Sequence, residues 1–176
     1  MKTMAGKSVK VFNGRLLKVY KLNQKLPNGN ISYFEKVEHP GAALVVPFLG
    51  DKVIFIRQYR AVIDKYIWEL PAGKLDPAET PYCCAKREVR EETGYLIRGL
   101  KKIGFIYTTP GFCTEKIHIF KAVCYAREKA ERDEDEMIRV RCLSVPEIHK
   151  LFITGKINDS KTVAALGFAG ILSQNL

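Results

Sequence analysis

The chain has 176 residues, 47% hydrophobic and 27% charged, which suits one folded domain with a real core and a small extension. No apolar run approaches the roughly 18–20 residues needed to span a bilayer, and the basic start "MKTMAGKSVKVF" has no apolar signal core, so a cytoplasmic protein is expected. The net charge of +10 admits nucleic acid, a membrane surface or an anionic small substrate, but the basic residues are scattered while the acidic ones cluster at Glu88–Glu92 and Glu128–Glu136. That distribution favours a phosphate substrate plus a cation over a nucleic-acid groove, and argues against nucleic acid as a partner.

In chain order, residues 9–22 alternate loosely and read as one or two strands, "LPNGN" (26–30) as a turn, and "ISYFEKVEH" as the second arm of a hairpin. "AALVVPFL" and "KVIFIRQYR" read as two apolar strands joined at Gly50-Asp51, and "YIWELPAGKLD" as a strand running into a glycine-containing loop. Residues 81–93 form the clearest helix, with Thr80 at the N-cap, Pro81 at the first turn and Gly94 at the left-handed exit. Two further strands flank a Pro110-Gly111 turn, "EKAERDEDE" is a charged loop, and "MIRVRCLSV" is a strand. Ser144 to Glu147 spells a capping box for a helix to about Phe152, and Asp159 caps a final helix over "DSKTVAALGFAGILSQ". The pattern predicts a mixed sheet with helices between and after strands, α/β or α+β. Five cysteines, an odd number without a C-x-x-C unit, read as reduced and mostly buried thiols.

The run "REVREETG" carries the chemistry. On a helix Glu88, Glu91 and Glu92 stand at i, i+3 and i+4 and share one face. Like charges at that spacing destabilise a helix by a few tenths of a kcal/mol per pair, and Glu91 and Glu92 also face the unfavourable end of the helix dipole. A solvated charged face is the bland explanation for glutamates on a helix. A hard divalent cation, which prefers oxygen ligands, resolves the conflict.

From Gly73 the chain reads "GKLDPAETPYCCAKREVREETGY", which resembles the Nudix box at every defined position: Gly73, Glu79, Arg87-Glu88-Val89, Glu91-Glu92, Gly94 and Tyr95. The resemblance implies a Nudix α/β/α sandwich with a mixed sheet, and metal-dependent hydrolysis of a diphosphate linked to another moiety. It implies that the Ala72 carbonyl, Glu88 and Glu92 hold the metal, with Glu91 direct or through water. Mg²⁺ is the expected ion, with Mn²⁺ as a possible substitute. Gly73 lets the backbone turn toward metal and substrate, and Arg87 with Glu79 forms an orienting ion pair.

Other stretches resemble the ADP-ribose pyrophosphatase subgroup. Pro110 lies 16 residues beyond Gly94, in "TTPGFCTEKIHIF". "FIRQYR" resembles the strand that delivers an arginine to the substrate, here Arg60, with Arg57 as a second candidate. "WELPAG" before the box is likewise typical. "DEDEMIRV" resembles the loop carrying the catalytic base, which places that base at Glu134, with Glu136 as the alternate. Glu115 aligns with a glutamate that contacts the distal ribose. For the base-stacking aromatic, Phe12, Tyr20, Tyr33 and Phe34 remain open. Residues 1–38 fit a small N-terminal β-extension that mediates homodimerisation, leaving 39–176 as the hydrolase domain. The expected reaction is hydrolysis of ADP-ribose to AMP and ribose 5-phosphate. The alternatives are GDP-mannose or another nucleotide sugar, and a non-catalytic Nudix-like module that binds nucleotide or nucleic acid.

Overall fold

The computed structural model describes residues 8–14, 17–131 and 137–173. These residues fold as two compact units. One gathers the described residues up to Gly41 together with Tyr107–Lys116; the other gathers Ala42–Ile106 and the described residues from Ile117 onward.

The first unit carries three antiparallel strands, β1 (Ser8–Asn13), β2 (Lys18–Lys25) and β3 (Ile31–Glu38), in that order. The β2–β3 hairpin closes through Leu26 and Asn30, with Gly29 at φ +89° supplying the left-handed step of the turn. Val37 exchanges backbone hydrogen bonds with the loop at 112–114: its N–H donates to Phe112 O at 2.7 Å and its carbonyl accepts from Thr114 N–H at 3.0 Å. The segment 107–116, assigned from sequence to the hydrolase domain, therefore groups with the N-terminal strands, as do residues 39–41.

The second unit is a mixed sheet in the order β10-β5-β4-β9-β8, built from β4 (Ala42–Leu49), β5 (Lys52–Arg60), β8 (Tyr95–Tyr107), β9 (Lys116–Arg127) and β10 (Ile138–Ser144). The short strands β6 (Lys65–Glu69) and β7 (Ala72–Lys74) pair with β5 and β4. β4 runs parallel to β9 and antiparallel to β5, which makes the sheet mixed. β4 is apolar almost throughout because the sheet is covered on both faces. Ala42, Leu44 and Val46 join one core, which includes Ile148 of α2 (Val145–Ile153) and Ala165 and Leu166 of α3 (Ser160–Phe168). Ala43 and Val45 join the other, with Cys84, Ala85 and Val89 of α1 (Pro81–Thr93). This is the α/β/α layering expected from the sequence.

α1 starts and stops where its capping residues stand. The Thr80 hydroxyl oxygen accepts from Cys83 N–H at 3.2 Å, Pro81 occupies the first turn, and Gly94 at φ +75° returns its N–H to Arg90 O at 2.8 Å. A Cβ at Gly94 would also lie 2.3 Å from the Glu128 carbonyl, so two constraints select glycine there. α3 ends at Phe168, earlier than the expected span to 174. Its exit turn is closed by Gly170 (φ +72°), whose N–H donates to Gly167 O, and by Ile171 N–H donating to Leu166 O. Among the described residues no helix is long and apolar enough to cross a membrane.

Candidate functional site

The site lies between two pieces of the second unit, the backbone at Glu69–Lys74 and the C-terminal half of α1. Strand β7 pairs Gly73 with Ala43 and Ala72 with Leu44, which sets that backbone beside α1. Arg87 is the hub. Its Nε and Nη2 donate to the two Glu79 oxygens, each at 2.9 Å, a two-pronged fork. Nη2 also donates to Lys74 O at 3.2 Å. Nη1 donates to Glu88 Oε1 at 2.7 Å and Glu91 Oε2 at 3.0 Å. Glu79 is fixed in turn by Asp76 N–H, which donates to its Oε2 at 3.1 Å. The Arg87 guanidinium draws the Glu79 carboxyl down from 4.5 to about 2, against a smaller upward push from burial. Arg87 itself is raised, chiefly by that same carboxylate.

Glu92 turns inward instead. It is 3% exposed, and its Oε2 accepts from Ala72 N–H at 3.1 Å. The spacing put three glutamates on one face. The side chains then diverge, Glu88 and Glu91 to Arg87 and Glu92 to the loop backbone, because each like charge turns to the nearest donor. Among the described residues, no three His, Cys, Asp or Glu side chains already converge as a metal cage. The oxygen-only donor set nonetheless fits a hard cation. A Cβ on Gly73 would sit 1.8 Å from Glu88 Oε1 and 2.4 Å from Oε2, so the absent side chain makes room for that carboxylate.

Cys84, on the buried side of α1, lies 3.5 and 3.4 Å from the Gly73 and Lys74 carbonyls. Burial pushes its thiol up to about 12, and the charges of Glu88 and Glu79 add to the shift. It fills space under the site.

The arginine expected from "FIRQYR" has a partner that sequence did not reveal. Arg60 Nε and Nη2 fork onto Glu69, each at 2.6 Å, and Lys161 of α3 donates to the same carboxylate. Glu69 is 1% exposed. Burial pushes its carboxyl up most strongly, but Arg60 and Lys161 together outweigh it and hold the group below 4.5. The Arg60 side chain keeps 39% of its surface exposed beyond that fork. Arg57 is exposed and lies over Tyr66 and Trp68, 5.8 Å from each ring.

Pro110 and Glu115 belong to the first unit. Glu115 Oε1 approaches His39 Nδ1 at 3.6 Å, but Nδ1 already accepts from Gly41 N–H at 3.1 Å, so the contact is proximity and no hydrogen bond. Glu134 and Glu136 lie outside the described residues.

Comparison with known proteins gives the family. The NUDIX domain family matches residues 38–166, most of the chain. The chain belongs to the Nudix family. It is 37% identical over 174 residues to the ADP-ribose pyrophosphatase of Bacillus subtilis (strain 168), covering 96% of this chain and 94% of that protein. It is likewise 37% identical over 165 residues to the methanol dehydrogenase activator of Bacillus methanolicus, covering 92% and 89%. A solved structure, the crystal structure of an ADP compounds hydrolase, superimposes with a TM-score of 0.82 at 25% identity, covering 96% of this chain and 92% of that one. Nudix hydrolases generally use divalent metal ions, in keeping with the oxygen donors at this Nudix site.

Proposed function

We propose that this Nudix protein hydrolyses the diphosphate linkage of ADP-ribose, giving AMP and ribose 5-phosphate. The observation that carries the reading is the Arg87 hub, which ties Glu79, Glu88 and Glu91 together beside Gly73 and the buried Glu92. The likeness to an ADP-ribose pyrophosphatase over almost the whole chain supports the substrate. Glu88, Glu91, Glu92 and the Ala72 carbonyl hold the cation, Mg²⁺ with Mn²⁺ able to replace it. When bound, such a cation neutralises the diphosphate and polarises the phosphorus under attack. Arg87 and Glu79 orient the helix against the loop. Arg60, fixed by Glu69 and still partly exposed, offers its remaining edge to the phosphates, with Arg57, three residues earlier on β5, as the second candidate. Glu134, or Glu136 beside it, takes the proton from the attacking water. Pro110 and Glu115 shape the side that receives the distal ribose. The protein acts as a cytoplasmic homodimer joined through its N-terminal strands.

The test is a substrate panel scored by kcat/KM at saturating Mg²⁺, containing ADP-ribose, GDP-mannose and other nucleotide sugars, for wild type and Glu92→Gln. ADP-ribose is expected at or near the top. Glu92→Gln is expected to lose orders of magnitude in rate while keeping the fold. A Glu92→Gln variant as active as wild type would sink the cation site, and GDP-mannose at the top would replace the substrate. Salt-sensitive nucleic-acid binding without hydrolysis would point to a binding module.

A further inference from the structure

Every residue of the segment 69–73 is pinned, and two of the partners, Lys161 and Thr162, come from α3, far outside the motif. The Glu69 carboxylate takes the Arg60 fork and the Lys161 ammonium. Leu70 N–H donates to Thr162 Oγ1 at 3.0 Å. The Pro71 carbonyl accepts from Val45 N–H at 3.0 Å. Ala72 N–H donates to Glu92 Oε2 at 3.1 Å, and Gly73 pairs with Ala43. On the helix side, Asp159 binds the whole arrangement. Its Oδ2 accepts from Thr162 N–H at 3.1 Å and from the Thr162 hydroxyl at 2.6 Å, while its Oδ1 accepts from Lys161 Nζ at 3.0 Å.

One residue could cap α3, but this turn does more than cap. Asp159 leaves the Thr162 hydroxyl oriented so that its oxygen lone pair faces Leu70 N–H. It also holds Lys161 against a carboxylate 92 residues earlier in the chain. The Glu69 side chain is 1% exposed and Thr162 is fully buried, so neither interaction is screened by solvent. The charges close locally, Arg60 and Lys161 against Glu69 and Asp159. The segment so fixed ends at Ala72 and Gly73, the residues against Glu92 and Glu88.

We propose that Lys161 and Thr162, at the first turn of α3, are positioning residues for the cation site. They set the register of the Glu69–Gly73 backbone so that Ala72 meets Glu92. The proposal rests on the reading that Ala72 and Glu92 hold the cation. Neither residue touches the substrate or the cation itself. Groups that orient metal ligands from behind commonly change metal affinity by about 10–100-fold when removed.

The experiment measures Mn²⁺ binding to the full chain without substrate, by the loss of the free-ion electron paramagnetic resonance signal, alongside kcat and KM for ADP-ribose. The variants are Lys161→Met, Lys161→Arg, Thr162→Val, Thr162→Ser and Glu92→Gln. Lys161→Met leaves Glu69 with its Arg60 fork, so the fold is expected to persist by circular dichroism. The expected result is at least a tenfold weaker Mn²⁺ affinity for Lys161→Met and Thr162→Val, with kcat falling and KM changing less than threefold. Lys161→Arg and Thr162→Ser, which keep a donor to Glu69 and an acceptor for Leu70, are expected within about threefold of wild type. Wild-type Mn²⁺ affinity in folded Lys161→Met and Thr162→Val, with Glu92→Gln weakened, overturns the proposal alone. Wild-type affinity in Glu92→Gln overturns the cation-site reading and this proposal with it. Tight Mn²⁺ binding without ADP-ribose hydrolysis by wild type refutes only the substrate assignment and leaves the affinity comparison decisive.

Discussion

Gly73→Ala separates the site's geometry from the fold's stability more cleanly than removing a charge. The added Cβ would stand 1.8 Å from Glu88 Oε1 and 2.0 Å from its carboxyl carbon. Ordinary contact begins near 3.4 Å, so the carboxylate must retreat by about 1.6 Å. Glu88 is a flexible side chain and Gly73 is not in the left-handed region, so the retreat costs the fold little. Replacing glycine where alanine's backbone fits contributes about 0.4–1 kcal/mol through the unfolded state, roughly offsetting the displaced Glu88–Arg87 contact. For a domain of this size the melting temperature is expected to stay within about 4 °C of wild type. The site fares differently. Metal–oxygen distances tolerate about 0.2 Å, and a misplacement of about 1 Å costs on the order of 100-fold in rate. Thermal melts, Mn²⁺ titration and ADP-ribose hydrolysis on the same preparation check this. Hydrolysis within threefold of wild type would refute the role given to Glu88. A collapsed melting temperature would refute the idea that glycine serves the site and not the backbone.

The Glu79 carboxyl lies near 2 in the fold against an ordinary 4.5, so it binds fewer protons folded than unfolded. Its stabilisation is present above about pH 4.5 and is lost as pH falls toward 2. The urea-midpoint gap between wild type and Glu79→Gln is therefore expected to be constant from pH 7 to 5 and to shrink below 4.5; a gap independent of pH from 5 to 2.5 contradicts the pairing. Cys84 and Cys124 are buried with thiols pushed to about 12, whereas Cys83 and Cys142 are exposed. Native protein at pH 8 is expected to react with a disulfide reagent at Cys83 and Cys142 and to protect Cys84 and Cys124 until denatured, as peptide mass mapping will show. Arg87→Lys keeps the charge but cannot fork, so hydrolysis is expected to fall at least about tenfold with Glu79 left singly bonded; unchanged kcat would mean that Arg87 serves only as a charge.

The parts of this molecule legible in its sequence are those set by neighbours along the chain. Thr80, Pro81 and Gly94 bounded α1 because capping depends on residues within a turn of the helix end. The unbroken apolar run of β4 marked a strand, which the fold buries on both faces. The Glu79–Arg87 pair was legible because the motif spans one loop and one helix. What sequence missed depends on distant partners. Glu69 stood in plain sight in "WELPAG", but nothing near it named Lys161 as its partner. The partner of Arg60 was hidden because the fork is made across the β5–β6 pair, where the register sets Glu69 opposite Ile56 and Arg60 opposite Lys65. A lysine and a threonine following a capping aspartate read as ordinary helix surface, yet Thr162 is fully buried. A charged residue inside an apolar strand beside a motif was the one available signal, since burial of a carboxylate demands a cation somewhere.

The electrostatics of α1 turn on how Arg87 divides its donors. Its Nε–Nη2 edge is committed to Glu79, while Nη1 alone serves Glu88 and Glu91. The two halves are separable. Glu88 and Glu91 can swing away from Nη1 without breaking the fork that holds the helix to the loop at Glu79. Arg87 therefore offsets the repulsion among the glutamates, and under the proposed reading it would stay in place as a fixed positive charge if those carboxylates turned to a cation. The third glutamate turns away from Arg87: Glu92 is buried and its Oε2 accepts from Ala72 N–H. A lysine at 87 could neutralise one carboxylate at a time; only a planar group with two independent edges can anchor the loop with one and release ligands from the other. That division explains why so many like charges are tolerated at the end of this helix.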